Sequence, residues 1–412
     1  MSAAFEDVWR RESPRVLGAL LRRHGDLADC EDAVQEAAVA AVRQWEQDGL
    51  PDDPGAWLVR VASRRLVDRV RADRARAARE EREARQVPVR VHHDPLPSSP
   101  GGSDDSLELL LLCCHPALSR SSQVALTLRS VCGLGVDQIA AAYLVPAPTM
   151  AQRITRARST LRSAGARFER PGVAELPGRV AAVLDVCHLV FTEGHTRSDG
   201  PELLDVALAE EAIRLTRALV GWLPDHDEAA GLLALLLLTH ARAPARTDAV
   251  GDLVVMAEQD RSRWDAALVA EGVGILERVL PRGPVGRYQL QAAIAAVHAE
   301  AAGWEDTDWP QVVALYELLD RVAPGPAVTL NRAVAVSMVS GPGPALELVG
   351  PLLVDRSMAR HHRTHAVHAH LLERAGEPVA AAEAYRRASR LATSGPEQRY
   401  LNARLARLTS AG

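Results

Sequence analysis

Carboxylates at Asp29, Asp32 and Glu36, with the amide of Gln35, fall on one side of a helical repeat whose other side is Ala33, Val34, Ala37, Ala38, Ala41 and Val42. Such a face accepts the planar forks of arginine side chains from a partner protein. The next helical segment has the opposite character. From Trp57 to Arg90 there are eleven arginines (60, 64, 65, 69, 71, 74, 76, 79, 82, 85 and 90) against five acidic residues. A basic stripe of this density is the electrostatic footprint of phosphate binding. Each run by itself reads equally well as the solvated face of a helical bundle. Their order suggests one surface for a protein and another for DNA.

A second candidate for DNA contact lies further along. Gly135 to Thr149 followed by Met150 to Arg162 has the grammar of a helix-turn-helix. Ala140 and Ala141 permit close helix crossing, Pro146 and Pro148 end the first helix and set the turn, and Thr149 caps or opens the second. Met150, Ile154, Ala157 and Leu161 supply the buried stripe of that second helix, leaving Gln152, Arg153, Arg156, Arg158 and Arg162 to point outward. By itself the segment also fits an arginine-rich surface helix; a basic domain upstream favours the DNA reading.

Positioning these side chains takes helices almost throughout. Only 4% of the 412 residues are aromatic, and Ala, Leu, Val and Arg dominate, which favours helices packed through small and aliphatic side chains over a β-sandwich. The expected fold class is all-α, in two or three domains. Helical periodicity covers about 5–23, 28–45 and 56–85, with one strong break at Gly49–Gly55. Residues 86–105 are rich in Pro, Gly and Ser with almost nothing to bury, and read as a flexible linker. A second helical unit spans 106–170, and a long helical array fills 171–412.

Charge divides the same way. Residues 1–170 carry 25 Arg and 23 acidic residues and 171–412 carry 23 and 30, so the net charge of -5 conceals a basic N-terminal part and an acidic C-terminal one. No lysine occurs, which genome base composition explains as readily as phosphate binding does, so the arginine excess itself carries no functional weight. Five cysteines (30, 113, 114, 132 and 187) lie in apolar helical contexts without a paired framework, the pattern of a reduced, cytoplasmic chain. No signal peptide is expected, and the apolar run Leu232–Leu238 is far too short to span a membrane.

An acidic helix from Glu31 to Glu36, a helix carrying Trp57, Arg64, Arg65, Asp68 and Arg71, a linker and a terminal helix-turn-helix together resemble the bacterial extracytoplasmic-function (ECF) sigma factors of the sigma-70 family, over residues 5–168. The resemblance implies a region 2 at 1–85 that docks on core RNA polymerase through Asp29, Asp32, Gln35 and Glu36, where opposite charge steers association. It implies contact with the -10 element by Trp57, Arg60, Arg64, Arg65, Arg69 and Arg71, which take an unstacked base and hold the separated strand by its phosphates. A region 4 at 106–170 would read the -35 element through Thr149, Gln152, Arg153, Arg156 and Arg158. One departure matters: Arg64 stands where such proteins often carry Asn, and Trp57 is the only aromatic of its helix, so no promoter sequence is implied.

Segments 104–118, 190–194, 259–265 and 288–300 resemble a subgroup with a fused C-terminal tetratricopeptide-like domain. That implies a regulatory role for 171–412 in place of a separate anti-sigma factor, with a protein or peptide as its partner. Independently, Leu372, Gly376, Ala380, Ala384, Tyr385, Ala388, Leu391 and Pro396 approximate one tetratricopeptide unit, and 331–354 a weaker preceding one. Neither inhibition nor activation follows from this.

Sharper chemistry is poorly supported. His361, His365 and His368 share one sector of a helix with His362 nearby, but no carboxylate or Cys has matching spacing, and a solvated histidine face suffices. Adjacent Cys113 and Cys114 point about 100° apart on a helix and read as small core residues. Glu193, His195 and Asp199 lack an accompanying phosphate loop or nucleophile elbow. Asp260, Arg261, Arg263 and Trp264 fit a regulatory surface less well than a polar network joining helices. No enzyme activity, metal or cofactor is expected. Two other function classes stay open: a helix-turn-helix regulator acting without polymerase, and a tetratricopeptide-like adaptor. A regulator should dimerise on a palindrome and survive charge reversal at Asp32 and Glu36.

Overall fold

The computed structural model describes residues 3–82, 104–142, 145–169 and 171–410. Arg85, Arg90 and the expected linker up to Ser103 lie outside the described residues, as do the side chains of Arg74, Arg76, Arg79 and Arg82. Among the described residues there are eighteen α-helices and no strand. The chain forms two compact units, Met1–Val186 and Cys187–Gly412.

Unit one begins with α1 (Ala3–His24), α2 (Leu27–Asp48) and α3 (Pro54–Arg82). Asp26 caps α2, its Oδ1 accepting from the N–H groups of Ala28 at 2.9 Å and Asp29 at 3.1 Å. Gly49, at φ 82°, ends it in the left-handed region that glycine tolerates. Leu17, Leu20 and Leu21 of α1, Ala33, Val34, Ala37 and Ala41 of α2, and Leu58, Ala62 and Leu66 of α3 are all buried. The alanines of α2 are what let its neighbours approach closely.

The unit continues with α4 (Asp104–Cys113), α5 (Arg120–Ser130), α6 (Val136–Ala142) and α7 (Ala147–Ser163), and takes in the start of α8 (Leu176–His195). Met150, Ile154, Ala157 and Leu161 form the buried stripe of α7, as their spacing requires. Its start differs from expectation. Pro146 is the N-cap, without a side-chain cap bond, so Thr149 is the third helical residue and caps nothing. Pro148 falls in the first turn, where a missing N–H forfeits no hydrogen bond, and the helix therefore starts before it. Cys113 and Cys114 are core residues, both fully buried.

The unit boundary falls inside α8, beyond the expected break at 170. Arg179 Nη1 donates to Leu111 O at 2.9 Å, and Arg120 donates to Ala182 O at 3.0 Å and pairs with Asp185. These bonds tie the first half of α8 to α4 and α5.

Unit two holds the rest of α8, then α9 (Val206–Trp222), α10 (Asp227–His240), α11 (Ala266–Val279), α12 (Arg287–Glu300), α13 (Trp309–Val322) and α14 (Pro326–Ser340). It closes with α15 (Pro342–Val349), α16 (His362–Arg374), α17 (Pro378–Leu391) and α18 (Gly395–Ser410). From α12 onward each helix packs on the next. Leu232–Leu238, the run noted for its hydrophobicity, is the middle of α10, buried among α9, α11 and α12. None of the described helices is long and apolar enough to cross a membrane.

The histidines of α16 do not share a solvated face. His365 is 4% exposed with its Nε2 2.8 Å from Ala359 O, and His362 pairs with Glu397 at 3.1 Å. The inner side of α16 packs against neighbours, and the sector containing His365 turns inward.

Close crossings in unit two depend on glycine. A Cβ at Gly231 of α10 would lie 2.5 Å from Gln289 Cγ and 2.8 Å from its backbone nitrogen in α12. Gly231→Ala should therefore destabilise the protein by about 1–3 kcal/mol, read as a lowered urea midpoint. Gly274→Ala, which meets only the end of the Arg278 side chain at 3.8 Å, should be neutral or stabilising.

Candidate nucleic-acid and polymerase interface

The polar edge of α2 lies beside the basic edge of α3, and Arg69 joins them. Its Nη1 donates to Asp32 Oδ2 at 2.7 Å and its Nη2 to Glu36 Oε1 at 2.5 Å. Two residues read as polymerase-facing and one read as DNA-facing thus form a single ion network, in which the Asp32 hydrogen bond does most to raise the Arg69 pKa. The carboxylates remain 56% and 45% exposed, and surface pairs of this sort contribute only about 0–1 kcal/mol, so either is readily released to a partner. Asp29 and Gln35 are half-buried. Burial, then the charge of Asp26, pushes the Asp29 carboxyl up.

Along α3, Arg60, Arg64, Arg65 and Arg71 are exposed. Trp57 is half-buried, edge-on to Trp45 of α2 with ring centroids 5.3 Å apart. That contact fixes the ring at the end of the helix and leaves part of it accessible.

On α7, Thr149, Gln152 and Arg156 are exposed and Arg153 is half-buried. Arg158 is placed differently. It pairs with Glu31 of α2, a carboxylate only 5% exposed, which also accepts a hydrogen bond from Ser130 of α5. Arg162, one turn on, pairs with Asp26 at 2.6 Å. The expected recognition helix is thus docked on the N-terminal half of α2. Burial pushes the Glu31 carboxyl up, opposed first by Arg158, then by the Ser130 hydrogen bond and Arg129.

Glu31 was not singled out from the sequence, although a signal existed. Helical spacing puts it on the line of Leu27, Val34 and Ala38, and a carboxylate on such a line requires a buried cation or donor.

With this geometry in view, residues 8–76 match sigma-70 region 2, residues 108–161 match sigma-70 region 4, and residues 179–280 match a family of unknown function (DUF6596). The first two domains define a sigma factor, a non-enzymatic subunit of transcription initiation, and imply binding to core RNA polymerase and promoter DNA. The chain belongs to the same family as the uncharacterized protein R00370 of Rhizobium meliloti (strain 1021), with 41% identity over 406 residues, 96% of this chain and 94% of that one. Its N-terminal part is similar to the probable ECF RNA polymerase sigma factor SigI of Mycobacterium tuberculosis (strain ATCC 25618 / H37Rv), at 28% identity over 158 residues, 37% of this chain and 52% of the relative. No solved structure matches the chain.

If the Glu31–Arg158 pair holds α7 on α2, the two side chains are energetically coupled. A double-mutant cycle with Glu31→Gln and Arg158→Met, followed by urea unfolding, should give a coupling of about 1–3 kcal/mol. Additive effects would mean that other contacts, the Arg162–Asp26 pair among them, hold the helix there.

Proposed function

We propose that this sigma factor is of the ECF type, acts in the cytoplasm, docks on core polymerase through Asp29, Asp32, Gln35 and Glu36, and recognises both promoter elements. Trp57, Arg60, Arg64, Arg65, Arg69 and Arg71 engage the opened -10 strand, and Thr149, Gln152, Arg153, Arg156 and Arg158 read the -35 duplex. The observation that carries this reading is which side chains are left at the surface: carboxylates on α2, arginines on α3, and Gln152 with Arg156 on α7. Melting a duplex costs stacking energy that a small protein cannot supply alone, so one face recruits polymerase and another traps the strand.

The docked position of α7 is then a resting state. Two elements some 25 base pairs apart lie roughly 80 Å from each other along B-DNA at ~3.4 Å per pair. A recognition helix held against α2 by Arg158 and Arg162 must leave it to reach the upstream element. The acidic C-terminal unit, with its successive helix pairs, is read as a tetratricopeptide-like regulator that binds a protein or peptide.

Run-off transcription with core polymerase and genomic DNA tests the whole reading: the chain should direct initiation at discrete promoters, and its failure to do so would sink it. Arg156→Ala should weaken -35 duplex binding by about tenfold and reduce the salt slope by about 1, measured by fluorescence anisotropy across a salt series. Reversing Asp32 and Glu36 together to Arg should abolish capture of core polymerase while helical content is unchanged. Undiminished capture would exclude α2 as the docking face.

A further inference from the structure

Several helix ends of unit two meet around Trp264. His195 ends α8, Arg242 and Arg246 follow α10, His298 lies near the end of α12, and a short 3-10 turn carries Arg261 up to Trp264. The guanidinium carbons of Arg242 and Arg261 stand 5.9 and 5.0 Å from the centroid of the Trp264 ring. Part of this charge is structural. Arg246 donates to His195 O and, at 2.9 Å, to Thr196 Oγ1, closing α8. Nη1 of Arg261 donates to His298 O and Ala301 O, both at 2.5 Å, closing α12. Cations are favoured at such C-terminal carbonyls.

The remaining donors have no such account. Arg242 is half-buried over the Trp264 ring, while Nη2 of Arg261, Nε1 of Trp264 and Nδ1 of His195 and of His298 are buried without partners. Trp264 itself is 8% exposed. The acidic groups that face the cluster are occupied or outnumbered. Glu397 is taken by His362 and Arg363, Asp265 caps α11, and Asp306 acts on Arg261 alone. Burial, reinforced by the like charge of Arg261, pushes Arg242 down to about 10. Burial, with Arg242 next, brings Arg246 down to about 9 and His298 down to about 4. Guanidiniums gathered with fewer counter-charges than cations, beside buried donors that lack acceptors, are costly, and a bound anion lowers that cost.

We propose that Arg242, Arg261, Trp264 and His298 form the binding site of an anionic small molecule that presents a carboxylate or phosphate group. Both groups match the planar donor fork of arginine, and the indole N–H and an imidazole N–H can serve further oxygens. The C-terminal unit then senses a small anion, a role separate from promoter recognition and from capture of a protein. Its failure would leave the sigma-factor reading intact.

The full chain, titrated with sodium phosphate and separately with sodium succinate at fixed pH and ionic strength, tests this by thermal shift. A saturable rise in melting temperature is expected with at least one of them and not with chloride; the arm that saturates assigns phosphate or carboxylate. Arg242→Met should weaken the response at least about tenfold, by loss of a charge-assisted hydrogen bond, whereas the exposed neighbour Arg263→Met should leave it unchanged. Trp264→Phe keeps the ring, removes the donor and should weaken binding severalfold, which decides the matter should Arg242→Met fail to fold. No saturation with either anion, or saturation unaltered in the variants that fold, would overturn the proposal.

Discussion

A carboxylate withdrawn from water must be met by a cation, and in unit one the cation that meets Glu31 comes from α7, the helix proposed to read DNA. Desolvating one ionised carboxylate costs several kcal/mol, which an arginine and a hydroxyl donor offset only when both arrive in register. Arg158 and Ser130 come from α7 and α5, so the pair around Glu31 relates two of the region 4 helices to α2. Much of the arrangement of unit one follows: α7 presents one edge to α2 and keeps Gln152 and Arg156 on the other.

Unit two faces the mirror image of that constraint. Its helix ends expose carbonyls, and in a chain without lysine every cation that meets them, apart from histidine, is a guanidinium. One guanidinium has five donors in a fixed plane, so it can close a helix and still offer another edge. Arg261 does this, satisfying two carbonyls with Nη1 while Nη2 is left over. Histidine, with one donor when neutral, could not.

The all-helical character, the helices of region 2 and the buried stripe of α7 were legible in the sequence because each is a local property, set by apolar spacing and by Pro and Gly at the breaks. The acidic and basic helices were legible for the same reason. What could not be read was pairing over distance. Nothing at Arg69 announces that it reaches Asp32 and Glu36 across 37 and 33 residues, and nothing at Arg158 announces Glu31. The start of α7 was misplaced because Thr149 is a good capping residue, yet the chain turns earlier, at Pro146. The histidines of α16 were read as a solvated face from their spacing, whereas burial there is decided by how α14, α15 and α17 pack around the helix.

The bridge made by Arg69 has a thermodynamic corollary. Under the proposed roles, basic groups of polymerase that displace Arg69 from Asp32 and Glu36 set its guanidinium free for a phosphate. A phosphate that takes Arg69 likewise unmasks the two carboxylates. Through this one side chain, polymerase and the opened strand compete with a shared internal bond instead of with each other. Each then strengthens the other's binding by the same factor, a reciprocity that requires no movement of the backbone.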